Sequence, residues 1–142
     1  MRQYETITLI TFIALAAWSC SPKSESASQE TVEEATEWKG MDDFHMVMAE
    51  SFHPYRDSAN LAPVKQYAGE MVELANSWVT QELPARVDNQ KVKELLNNLK
   101  IQTEALADLV EVGDDNAIGS SLNELHDTFH HLQEAWYKKD DK

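Results

Sequence analysis

"AIGSSLNELHDTFHHLQEAWY", residues 117–137, decides the fold. Its bulky apolar residues are Ile118, Leu122, Leu125, Phe129, Leu132 and Trp136, spaced by alternating steps of four and three. Each residue advances about 100° around an α-helix, so these steps return to one side of the rod. The stretch is an amphipathic helix with an unbroken apolar stripe. A single such helix is marginal in water, and packing of its apolar face supplies most of its stability. The rest of the chain must therefore provide partners.

Three earlier runs do so. The first is Trp38, Met41, Phe44, His45, Met48 and Phe52; the second is Leu61, Val64, Ala68, Met71, Ala75 and Trp78. The third is Val92, Leu95, Leu99, Leu106 and Leu109, with Gln102 or Thr103 interrupting it. No run alternates with period two, which excludes strands as the organising element. Four Gly and four Pro in 142 residues also argue against a loop-rich or all-β architecture.

The punctuation between runs is that of helix ends. "HPYRDSANLAP" (53–63) separates the first two, with His53 closing one helix, Asn60 a candidate N-cap and Pro63 in the next first turn. "ELPARVDN" (82–89) separates the next two, with Asp88 a candidate cap. "VGDDN" (112–116) stops the third helix at Gly113 and offers Asp114 or Asp115 to start the fourth. Connections this short make neighbouring helices antiparallel. The expected fold class is all-α, an up-down-up-down antiparallel four-helix bundle over residues 38–139.

The chain before the bundle reads differently. "MRQYETITLITFIALAAWSC" (1–20) carries Arg2, then an apolar run from Ile7 to Ala17 that is too short to span a bilayer. It has the length of a signal-peptide core. It ends at Cys20, the one cysteine of the chain, so no internal disulfide is available. This ending resembles the lipobox of bacterial lipoproteins, although Trp18 departs from the usual small residues. The resemblance implies cleavage before Cys20 and lipidation of its thiol, with residues 1–19 as the signal peptide. Residues 20–37, "CSPKSESASQETVEEATE", are rich in Ser and Glu, with Val32 the one bulky apolar side chain. Such a segment reads as a flexible tether. Ser21, not Asp, follows the cysteine, which in lipoproteins of double-membraned bacteria implies the outer membrane. The expected location is the cell envelope, lipid-anchored, facing the periplasm or the cell surface.

Net charge is −13, the pI about 4.6 and the mean hydropathy −0.50. Such a surface repels phosphate backbones and excludes nucleic acid as an expected partner. The remaining partners are the membrane, through Cys20, and a protein of the envelope.

Three of the five histidines crowd into the last helix. His126 and His130 are four apart and share a face; His131 points to solvent. His45 falls inside the first stripe, between Met41 and Met48. In an antiparallel bundle the first helix and the last bring His45 level with His126 and His130. Bundles build metal sites from facing helices in this way. The candidate ligands are His45, His126 and His130, with Met41, Met48, Asp127 or Glu134 completing the set. Zn²⁺ or copper suits an imidazole pair. The same residues also admit a structural reading, in which His45 bonds Gln102 or Thr103, His126 pairs with a surface carboxylate, and His130 and His131 are solvated.

"LNELHDTF" (122–129) resembles the haem-attachment frame of cytochromes c-prime, four-helix bundles with a C-x-x-C-H motif late in the last helix. Leu122 and Leu125 stand where the cysteines would be, and His126 takes the place of the haem-ligating histidine. The "GDDNAIGSSL" lead-in (113–122) is similar, as is the order of elements from Trp38 to Tyr137. "FHPYRDSANLAPVKQYA" (52–68) resembles the first interhelical connection of haem-free bacterial relatives. The resemblance implies a bundle that dimerises through its first two helices. Without the two cysteines no thioether forms, which excludes covalent haem. Non-covalent haem between Met41 or Met48 and His126 is disfavoured, because the two leucines close the gap that haem needs.

No Ser or Cys nucleophile with an oriented base, no glycine-rich phosphate loop and no H-E-x-x-H is present, so the chain does not read as an enzyme. The alternatives to a metal-binding protein are a scaffold or interaction module without a cofactor, and a haem electron carrier.

Overall fold

A computed structural model of the chain describes residues 36–138. The expected signal peptide, Cys20 and nearly all of the tether lie outside these residues. Each apolar run closes into one helix: α1 is Lys39–Ser58, α2 Ala62–Thr80, α3 Gln90–Val112 and α4 Asp115–Tyr137. Consecutive helices pack against each other and α4 returns to α1, as an up-down-up-down bundle requires. The α1–α4 seam is the least closely packed of the four. No helix among the described residues is long and apolar enough to cross a membrane.

The stripe of α4 is buried at all six expected positions, and α2 buries Val64, Ala68, Met71, Ala75 and Trp78. Two stripes differ in detail. On α3 the core residues are Val92, Leu96, Leu99, Thr103 and Leu106. Thr103 does not interrupt the stripe but belongs to it, because its hydroxyl donates to the Lys100 carbonyl at 2.7 Å and leaves the methyl to pack. On α1 His45 is exposed, while Val47 and Ser51 are buried. The placement of His45 inside the stripe is thereby corrected: α1 rolls so that Met41, Phe44, Val47 and Met48 face inward, and residue 45 falls on the edge toward α4.

The helix ends follow elementary capping. Asp114 accepts from the Asn116 and Ala117 N–H groups at 3.1 Å, and Gly113 takes the left-handed conformation (φ 82°) that ends α3. The cap of α3 is Asn89, not Asp88; its side chain accepts from the Val92 N–H at 3.0 Å. α1 does not stop at His53. It continues through Pro54 to Ser58 and turns at Ala59, a non-glycine residue with φ 55°. Proline removes one N–H and usually breaks a helix. Here the last turn is retained by the Ala59 N–H on the Tyr55 carbonyl (2.7 Å) and the Asn60 N–H on the Pro54 carbonyl (3.2 Å).

Candidate functional site

The loose α1–α4 seam is closed at both ends and open between them. At one end Trp38 packs on Trp136, with ring centroids 5.8 Å apart. At the other, Tyr55 lies against Gly119, where a Cβ would meet its Oη at 2.5 Å. The Asn123 side-chain amide donates to the Gly119 carbonyl at 3.0 Å and to the Tyr55 Oη at 3.4 Å. A glycine on α4 thus lets the Tyr55 ring approach the helix backbone. Between these clasps Ala49 contributes only a methyl group, and a groove of about 290 Å³ remains.

Periodicity explains what lines it. On α1 the groove takes His45, Ala49, Phe52, His53 and Arg56, a strip one position to the side of the core stripe. On α4 it takes His126, Phe129, His130 and Gln133, the same offset on the facing rod. No carboxylate lines the groove among the described residues, although the chain carries a net charge of −13.

The rings are held in place. His126 lies flat on Phe52, with centroids 3.6 Å apart and planes 8° from parallel. Its Nε2 stands 3.2 Å from Nε2 of His130. One of these nitrogens carries the hydrogen and donates; the other accepts. Burial, and then the proximity of His130, hold the His126 imidazole down to about 4 against an ordinary 6.5. The Asp127 carboxylate, 3.9 Å from His126 Nδ1, acts in the opposite sense but is well exposed. His126 is therefore neutral at neutral pH, with a nitrogen lone pair to offer.

His45 reaches the same groove from α1, stacked on Phe129 at 5.5 Å and 18°. Of the three candidate ligands, His126 and His130 are in direct contact, and His45 shares their groove without touching them through any hydrogen bond. Among the described residues no group of three or more His, Cys, Asp and Glu is gathered around one point as an ion would require. Met48 lines the groove from within the core, whereas Met41 is buried away from it. Glu134 instead faces His131, its oxygen 3.2 Å from Nδ1.

Three groove residues carry no signal of their own in the sequence: Phe52 reads as core, and His53 and Arg56 read as belonging to the connection. The continuation of α1 through Pro54 is what places Arg56 in the groove. No family model, no curated protein and no solved structure matches the chain.

Proposed function

We propose that this chain is a lipid-anchored protein of the cell envelope whose four-helix bundle binds a transition-metal ion, zinc or copper. The ion sits on His126 and His130, and His45 turns toward it from α1. One observation carries the reading, the 3.2 Å between the two Nε2 atoms. With Zn–N bonds of about 2.0–2.1 Å and tetrahedral angles, two ligand nitrogens stand about 3.4 Å apart. The pair is thus spaced for an ion before one arrives, and the ion takes the place of the shared hydrogen.

Two further features support it. The low basicity of His126 removes proton competition at neutral pH, because a metal ligand must be deprotonated. The stack on Phe52 fixes the ring and lowers the cost of ordering it. The groove is lined by imidazoles, a thioether and the Arg56 guanidinium, without carboxylates, and its nitrogen and sulfur donors suit zinc or copper and not magnesium or calcium. Coordination is completed by His45 after a side-chain rotation, by water, or by both.

Titration of the intact chain with Zn²⁺ and Cu²⁺, read as affinity and thermal stability, tests the proposal. His126→Gln or His130→Gln should each weaken binding at least about tenfold, the loss of one strong ligand. At about one hundred times Kd, the ion should raise stability by about 2.7 kcal/mol. Unchanged affinity and melting in the double variant would remove the proposal.

A further inference from the structure

The groove between α1 and α4 holds one donor that differs in kind from the imidazoles. Met48 lines it and is 1% exposed, so its side chain belongs to the floor and not to the rim. Methionine is an ordinary core residue, and Met41 and Met71 are buried outside the groove. Met48 differs from them by its place.

The register of the two rods gives that place. The Phe52 ring lies flat on His126, which sets these residues level. The same register holds three residues further along, where Tyr55 meets Asn123. α1 and α4 run antiparallel, so four positions back from Phe52 is level with four positions on from His126. Those positions are Met48 and His130. The thioether therefore lines the groove level with the imidazole whose Nε2 stands 3.2 Å from that of His126.

The charges around the groove limit which ion it accepts. No carboxylate lines it among the described residues. Arg56 is paired with Asp57 at 2.8 Å, and Asp127 stands 3.9 Å from His126 Nδ1 but is 80% exposed. Imidazole and thioether are neutral when they bind, so an ion keeps its whole charge in the groove. The cost of taking a charge out of water rises with the square of that charge. A doubly charged ion is thus penalised about four times as heavily as a singly charged one.

We infer that the ion of this groove is copper(I), held by the Met48 sulfur together with the His126 and His130 nitrogens. A thioether is a soft donor that selects copper(I), while imidazole serves zinc and copper alike. Copper(I) is satisfied by three ligands, so two nitrogens and one sulfur complete its shell, whereas zinc in a closed site takes four. His45 then stands as an added donor beside a sufficient set. The assignment rests on the metal reading above and narrows it to one ion in one oxidation state. The ion enters as copper(I), so no electron transfer is involved.

The test uses the full chain carrying Cys20→Ser, because a free thiol would itself take copper(I). Anaerobic titration against a chromophoric copper(I) chelator gives one affinity, and titration with Zn²⁺ gives the other. Copper(I) should bind at least about tenfold more tightly than zinc. Met48→Leu, a swap of similar volume that cores accept, should weaken copper(I) by at least about tenfold and leave zinc within about twofold of the parent. Met46→Leu, at an exposed methionine of the same helix, should change neither. X-ray absorption fine structure at the copper edge should show a sulfur neighbour in the parent and none in Met48→Leu, a difference that loss of packing does not produce. Zinc bound as tightly as copper(I), or a copper shell without sulfur in the parent, overturns the assignment and leaves the two-histidine site standing. If the parent binds neither ion, the metal reading itself fails and this assignment falls with it.

Discussion

Along one pair of helices, α1 and α4, the bundle treats aromatic rings in two ways. At the start of α1, Trp38 and Trp136 meet Trp78 of α2 in a closed cluster, each at most 5% exposed. Midway along, His45, Phe52, Phe129, His126 and His130 also stack ring on ring, but beside a groove. The difference lies in how far the rods approach. Indoles bridge the seam and exclude water, so their value is burial. Imidazoles stand where Ala49 leaves space, so they keep a lone pair in reach of solvent and ligands. The first region holds the fold together, and the second is the one free to do chemistry.

The largest expected effect strikes the closed region. Trp78 touches Trp38 at 5.1 Å, Phe44 at 5.9 Å and Phe129 at 6.3 Å, and is 1% exposed. Trp78→Ala should lower stability by about 3–5 kcal/mol, the range for a buried aromatic, read from the denaturant midpoint. His126→Ala, in the groove region, should cost clearly less. Equal losses would erase the distinction between the two regions.

Gly40 provides the next contrast. A Cβ there runs into the Trp78 indole at Cδ1 and Cγ. Gly40→Ala should cost about 1–3 kcal/mol through overpacking, with a shift in tryptophan emission as the ring moves. Gly119→Ala meets the outer end of Tyr55 instead. It should cost less and loosen the groove, which metal affinity would report.

Acid should act on the groove region through His126. The unfolded chain binds a proton at His126 near 6.5, and the folded chain refuses it down to about 4. Stability is therefore complete above about pH 6.5 and falls as pH drops toward 4. The ring is 22% exposed, and screening keeps this contribution on the order of 1–2 kcal/mol. His53 and Arg56 oppose protonation with His130, and Asp127 favours it. His126→Gln should flatten the slope of stability over that interval; an identical slope would mean that other groups produce it.

The smallest effect is expected where neither region is touched. Lys65 and Asp115 pair at 2.5 Å on the surface, with side chains 40% and 65% exposed. Lys65→Met should change stability by less than about 1 kcal/mol.

Much of this was legible in the chain. Steps of three and four locate four rods, and Gly113, Asp114 and Pro63 mark ends that the structure respects. His126 and His130 share a face by spacing alone, and they are in contact. Two other features were hidden for identifiable reasons. His45 sits at a period-compatible position, but 100° per residue does not say which edge of a stripe faces which neighbour. Val87, in the connection before α3, is fully buried because it plugs the bundle end, and a residue outside any periodic run has no pattern to announce it. The contact of Arg86 is invisible for the same reason, since nothing in "ELPARVDN" says that a tryptophan fifty positions later will carry its guanidinium.

Helix number, order and apolar faces are local properties, fixed by propensity and spacing within stretches of about twenty residues, and the chain specifies them unaided. The groove and the cavity beside Arg86 are gaps between elements. Their existence depends on how closely α1 approaches α4, on one methyl at Ala49 and on the turn that carries Arg86 onto Trp136. Those distances arise when all four stripes compete for one core, so they belong to the packed molecule and to no segment of it.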